Sequence, residues 1–186
     1  MTKIADLEAN PWEVLSTKQI HQNPWFSVDE NQVLRPDGNP GQYFVVQTRI
    51  ATGVVALTED RQVYLVGQFR FPTNTYSWEI VEGGAEPGES AEAAARRELA
   101  EEAGLVARSW RRLGGDIQLS NCISSEMGYL YLAEELELTL VNPDPTEILQ
   151  LKKLPLAECL KLIEDGVIQD ALSIIALLRV ARLLGA

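Results

Sequence analysis

Apolar and polar positions change their period along the chain, and the changes mark three zones. In the first, from about Trp12 to Gln47, short apolar runs alternate with turn residues. Trp12–Leu15, Phe26–Val28, Gln32–Leu34 and Tyr43–Gln47 read as strands. Arg35-Pro36-Asp37-Gly38-Asn39-Pro40-Gly41 is a dense cluster of turn formers, so this zone predicts a small antiparallel sheet. The second zone, about Thr48 to Thr139, opens with the runs Gly53–Leu57 and Gln62–Gln68 on either side of the polar turn Thr58–Arg61. A third short strand is expected at Trp78–Val81. The pattern then lengthens: Ser90–Ala103 predicts a helix, because Ser90 is a good N-cap, six alanines fall between 91 and 103, and Gly104 supplies a stop. Tyr129–Thr139 returns to strand. In the third zone Ala157–Asp165 and Asp170–Leu184 predict helices separated by Gly166. Leu172, Ile175, Leu178 and Leu183 fall near helical spacing, and Arg179 and Arg182 lie toward the end, where cations suit the helix dipole. Strands and helices are interleaved without repeats, which predicts an α+β or α/β class.

A length of 186 residues with 46% hydrophobic content is enough for one core and a small extra element. We place the boundary between an extension, residues 1–47, and a main domain, residues 48–186. The net charge of −11 lacks the basic footprint that nucleic acids require. An acidic protein that handled phosphates would need cations as intermediaries. Cys122 and Cys159 lie far apart without metal-type spacing and are read as two reduced thiols. The stretch from Met1 to Val14 has no apolar leader. The longest largely apolar run, Ala171–Leu178, has eight residues, Ser173 among them, where a bilayer span takes about 20. A cytoplasmic protein with no membrane partner is expected. His21, the single histidine, reads as a surface residue, so histidine-based catalysis is not expected.

The chemistry concentrates between Gly83 and Leu105. A Gly-rich loop with Pro87-Gly88 leads into the helix that carries Glu98, Glu101 and Glu102. Spacings of three and four residues put these carboxylates on one helix face. Like charges so placed cost about a few tenths of a kcal/mol per pair in a bare helix. A cluster of hard oxygens is what magnesium or manganese prefers, and a cation there offsets the repulsion. Arg97 can reach back to Glu89 and hold the loop on the helix. By composition alone this is an ordinary solvated Glu- and Ala-rich helix, and the order of residues decides otherwise. Gly83, five residues, Glu89, seven residues, then Arg97-Glu98-Leu99-Ala100-Glu101-Glu102-Ala103-Gly104-Leu105 fills every position of the Nudix box.

The chain therefore resembles the Nudix hydrolases, which cleave nucleoside diphosphates linked to another moiety. The resemblance implies an α/β/α sandwich around a mixed sheet, with the box as a loop–helix–loop metal site. It makes Glu98 and Glu102 the main metal ligands and catalytic residues, with Glu101 assisting and the backbone carbonyl near Glu82–Gly83 completing the shell. Gly83, Glu89, Arg97 and Gly104 become the structural positions of the box, Arg97 and Glu89 as an ion pair. The cofactor implied is Mg²⁺ or Mn²⁺.

Within the family the chain is most similar to the ADP-ribose and nucleotide-sugar pyrophosphatases. A β-rich extension precedes the box domain, and in that branch it builds a homodimer. Gly67-Gln68-Phe69-Arg70 and Trp78-Glu79-Ile80 resemble the branch's Gln-x-Arg and the Glu before the box, which makes Arg70 and Glu79 candidate substrate residues. Ser120-Asn121-Cys122-Ile123-Ser124-Ser125-Glu126 resembles the branch's Ser-Pro-Gly-x-Ser-x-Glu loop, whose last glutamate acts on the attacking water; Glu126 is the candidate general base. Ile163–Asp170 resembles the branch's ending. Asn121 and Cys122 depart from the Pro-Gly of the loop. The resemblance thus implies a nucleoside monophosphate and a sugar phosphate as products. GDP-mannose, a dinucleoside polyphosphate, an oxidised nucleotide, or ligand sensing without turnover are the alternatives. Trp25, Phe26 and Tyr43 are read as packing residues of the extension rather than base-stacking platforms.

Overall fold

The computed structural model describes residues 9–140 and 148–185. Most of the N-terminal stretch read above for a leader lies outside these residues. The chain divides into two compact units.

The first unit comprises the described residues through Thr48 together with Ser120–Glu126. Its antiparallel sheet has the order β1 (Glu13–Gln22), β2 (Phe26–Leu34), β3 (Pro40–Thr48). Phe26–Val28 and Gln32–Leu34, read as separate runs, are the two ends of β2. The polar stretch between them is strand because its side chains pair across the sheet. Thr17 Oγ1 donates to Asn31 Oδ1 at 2.7 Å, and Gln42 and Gln47 donate to Glu30 and Asp29 at 3.1 and 3.2 Å. Val33 is the one large hydrophobic residue of this sheet that is buried among those described. Trp25 is 71% exposed and Phe26 and Phe44 are exposed as well, which corrects the packing expectation for Trp25 and Phe26. Tyr43 is half-buried, edge-on to Trp12 with centroids 5.3 Å apart. His21 is a surface residue as expected and lies against the Phe26 ring. The segment 120–126 is tied to β3: Val46 N donates to Ile123 O at 2.9 Å, Ser125 N to Val46 O at 3.0 Å, and Tyr43 Oη to Cys122 O at 2.7 Å.

The second unit holds a mixed sheet of order β7 (Val81–Gly84), β4 (Ala51–Ala56), β10 (Met127–Leu138), β8 (Leu105–Arg112), with the short β9 (Ile117–Gln118) also on β10. β10 runs parallel to β4, and the other pairs are antiparallel. A second, antiparallel sheet has the order β11 (Gln150–Pro155), β5 (Gln62–Arg70), β6 (Thr75–Glu79). Among the described residues three helices complete the unit: α1 (Ala91–Ala103), α2 (Leu156–Glu164) and α3 (Ala171–Leu184). Alternate residues of the central strands serve two cores. Val54, Ala56, Tyr131 and Ala133 pack with Ala95 and Leu99 of α1, whereas Val55, Leu130 and Leu132 pack with Ala176, Leu177 and Val180 of α3. A strand covered on both faces reads as a continuous apolar run, as Gly53–Leu57 does. This is the expected mixed α+β sandwich.

Three sequence expectations shift. Trp78–Val81 is not one strand: the chain breaks at buried Ile80, with β6 pairing β5 and β7 pairing β4. β8, β9 and β11 were not read as strands. On α3 the buried face is Leu172, Ala176, Leu177, Val180 and Ala181, while Leu178 and Leu183 are exposed. No helix among the described residues is long and apolar enough to cross a membrane. Both cysteines are free; Cys122 is exposed and Cys159 is buried. Burial pushes the Cys159 thiol up to about 11, and a protonated buried thiol is a poor nucleophile. A chromogenic disulfide reagent is expected to titrate one thiol per native chain, Cys122, and the second only in denaturant. Two fast equivalents in the native state would contradict this packing.

Candidate active site

The site is built where α1 meets β7. Ser90 caps the helix as its sequence suggested, its Oγ accepting from Ala93 N at 3.2 Å. Gly104 ends it in the left-handed conformation, φ 61°. Ala94, Ala95, Leu99 and Ala103 bury one face and so fix the rotation of the helix. The glutamates then fall along the edge that meets β7. Space there is the deciding constraint. A Cβ on Gly83 would overlap Cγ, Cδ and Oε1 of Glu98, so only glycine lets the carboxylate lie against the strand.

Arg97 holds the box together. Its Nε and Nη2 donate to the two Glu89 oxygens at 3.1 and 3.0 Å, and Nη2 also reaches Gly84 O at 2.9 Å. Nη1 donates to Glu98 Oε1 at 2.7 Å and to Glu101 Oε2 at 2.9 Å. One guanidinium thus meets three carboxylates and offsets their repulsion. Its own pKa is raised, first by Glu89, and the Arg97 bonds hold the Glu89 carboxyl below its ordinary value. The expected Arg97–Glu89 pair is present, and it is wider than expected. Glu102 is only 7% exposed, and one of its oxygens accepts from Glu82 N at 3.3 Å.

The Glu82 carboxyl accepts from Ser173 Oγ at 2.7 Å, and the same hydroxyl accepts from Ile80 N at 3.0 Å. Burial, then the neighbouring Asp170, pushes the Glu82 carboxyl well above the usual range. Arg70 and Glu79 are brought together: Arg70 Nε lies 3.0 and 3.1 Å from the two Glu79 oxygens, and Nη2 also bonds Oε2. Burial opposes the Arg70 charge, but Glu79 outweighs it and the guanidinium is held above its ordinary value. The pair lines a cavity of about 390 Å³ with Thr73, Thr75, Gln169 and Asp170. Glu126 belongs to the first unit, at the end of the segment tied to β3, and its N–H donates to Ser124 Oγ at 3.4 Å.

Among the described residues no three acidic side chains converge as around a bound ion. The donors nonetheless suit a hard divalent cation, being carboxylate and carbonyl oxygens, and Gly83, by lacking a Cβ, lets the Glu98 carboxylate lie against the strand beside those carbonyls. The sequence reading missed Ser173 and Asp170, which tie α3 to the strand entering the box. Asp170 had a local signal, an Asp three residues before a Ser at a helix start; its Oδ2 accepts from Ser173 N at 2.8 Å. Their proximity to Glu82 is a product of the tertiary fold.

The NUDIX domain model matches residues 47–174, and the model of the nucleoside diphosphate sugar hydrolase N-terminal domain matches residues 12–46. This chain belongs to the NUDIX family and is a pyrophosphohydrolase. It is 29% identical over 161 residues to the ADP-ribose pyrophosphatase of Bacillus subtilis, covering 86% of each chain. It is 30% identical over 129 residues to the ADP compounds hydrolase NudE of Escherichia coli, covering 69% of this chain and 68% of that one. A crystal structure of an ADP compounds hydrolase superposes with a TM-score of 0.83 at 26% identity, covering 94% of both chains. The expected family, branch and fold are borne out. The substrate is a small nucleoside diphosphate derivative.

Proposed function

We propose that the protein hydrolyses the diphosphate bond of ADP-ribose or a nucleotide sugar in a Mg²⁺-dependent reaction, giving a nucleoside monophosphate and a sugar phosphate. The observation that carries this reading is the complete box with Glu98 seated against Gly83 and Arg97 bound to three of its glutamates. Glu98, Glu101 and Glu102 would hold the cation, with the backbone carbonyl near Glu82–Gly83. Bound there, it supplies charge neutralisation and polarisation at phosphorus. Arg70, presented by Glu79, contacts a substrate phosphate. Glu126 takes the proton of the attacking water, which adds across the P–O–P bond. Manganese fits the same oxygen set. The protein acts in the cytoplasm and does not bind nucleic acid or membrane.

The test is phosphate-coupled turnover on ADP-ribose, GDP-mannose, UDP-glucose, diadenosine polyphosphates and oxidised dGTP, with Mg²⁺ and with chelator. One diphosphate sugar is expected to be turned over, with loss on chelation and on Glu102→Gln. Silence across the panel, with ligand binding intact, would move the reading to a sensor. Glu126→Gln is expected to lower kcat by about 10²- to 10⁴-fold with KM little changed; near-normal turnover would remove Glu126 as the base.

We further propose that the β1–β3 sheet pairs two copies of the chain. Val14, Leu15, Ile20, Trp25 and Phe44 are exposed on it, more apolar surface than an isolated sheet keeps in water. Light scattering is expected to give twice the chain mass, and Leu15→Asp to give the monomer.

A further inference from the structure

Acid dominates this molecule, with 27 acidic residues against 16 basic. Arg35, Arg70, Arg96, Arg97, Arg108 and Arg112 each meet a carboxylate. Arg61, Arg111, Arg179 and Arg182 make no ion pair among the described residues, and the last three meet in one place. Together with Arg112 they line a cavity of about 460 Å³ where the end of β8 approaches the last turns of α3.

The cavity is shaped around their charge. Arg111 pairs with Leu132 across the sheet, and Leu132 packs in the core beneath α3. Residues paired in this way share a face, so Arg111 leaves the sheet on the α3 side. Its neighbour Arg112 turns to Asp116 and to the Tyr129 ring, 4.9 Å away. Arg179 and Arg182, three apart on α3, face the same direction. Arg179 is fixed in place: Nη1 donates to Leu113 O at 2.5 Å and to Gly115 O at 3.3 Å. Gly114 between them has φ +74°, and a Cβ there would stand 3.0 Å from Arg179 Cζ and Nη1. The loop closes on the guanidinium because residue 114 is glycine. Arg179 Nε and Nη2 make no bond among the described residues. The helix dipole accounts for cations at the end of α3, but it does not account for Arg111, which is on a strand.

We propose that this groove is a second anion site, separate from the substrate cavity, which binds the phosphate group of a small phosphorylated molecule. Guanidinium forks match phosphate oxygens in charge and spacing, and pockets of about 300 to 1,000 Å³ hold small ligands. The separation follows from α3. Asp170 and Ala171 at its start line the Arg70–Glu79 cavity, and Arg179 to Leu183 near its end line the groove. At 1.5 Å per residue the two lie about 15 Å apart along the helix.

The test is calorimetric titration of the full chain with inorganic pyrophosphate, in chelator and at low salt. Wild-type protein, Arg111→Gln/Arg182→Gln and Arg70→Gln are compared. The expected result is binding in wild type, weakened about tenfold or more in the double variant and retained in Arg70→Gln. Raising salt weakens it. Arg111 and Arg182 are exposed, so the double variant keeps the wild-type melting temperature and turnover without added anion. Should it melt early, Arg182→Gln alone gives the same direction. Absence of binding in wild type, equal binding in the double variant, or loss in Arg70→Gln alone would each overturn the proposal. The last outcome would assign the anion to the substrate cavity.

Discussion

Replacing Gly83 by alanine is expected to lower Mg²⁺-dependent turnover by about a hundredfold or more. The added methyl group has no free volume to enter, because the Glu98 carboxyl group already occupies it. The helix cannot retreat, since Ala95 and Leu99 on its other side are fully buried. Glu98 must therefore swing away, and a displacement of about 1 Å at a positioned group costs about 10² in rate. Overpacking of this kind costs about 1–3 kcal/mol of stability, so thermal melting should show a lower but still cooperative transition. Turnover at saturating Mg²⁺ and its half-saturating concentration are the measurements. A Gly83→Ala variant with wild-type kcat would show that Glu98 acts from a different position.

Arg97→Ala should be the second most damaging change. It removes the donor to Glu89, Glu98, Glu101 and Gly84 O in one step and leaves three carboxylates without the cation they share. We expect a stability loss of about 1–3 kcal/mol, since removing one partner of part-buried charged hydrogen bonds exposes the desolvation cost of the others. Turnover should fall about 10²-fold. Lysine at this position should recover little, because a point charge cannot hold Glu89 by two bonds and also span to Glu98 and Glu101. The pH dependence has a definite sign. The Arg97 bonds depress the folded-state pKa of Glu89 below its ordinary 4.5. Their stabilisation is complete above 4.5 and is lost as pH falls through the depressed value. Wild type and Arg97→Ala should therefore differ in urea denaturation midpoint at pH 7 and converge in acid. A constant difference down to the acid limit would mean that the damage is packing alone.

What could be read from the sequence divides along a physical line. Elements defined by local chemistry were legible. Ser90 and Gly104 bracket α1 because capping is a matter of a few adjacent residues. The buried strand at Gly53–Leu57 was legible because both of its faces are covered. Elements defined by distant partners were not. β11 pairs with β5, more than eighty residues away, and its Lys152 and Lys153 carry no strand signal. β1 is exposed throughout, so no alternation marks its length. The break at Ile80 is set by two sheets competing for one segment, and nothing in Trp78–Val81 announces it. The site follows the same rule. The box and its Arg97–Glu89 pair were visible as spacing, whereas the grip of Ser173 on Glu82 and Ile80 exists only once α3 has packed.

The segment 120–126 has a consequence for engineering. By position it sits deep inside the box domain, yet its backbone is laced to β3, and Tyr43 anchors its middle. A chimaera that exchanges the first 47 residues for those of a relative would leave this loop facing a strand it did not evolve with. Grafts should therefore transfer two stretches together, the extension and residues 120–126, as one cassette cut from two places in the gene.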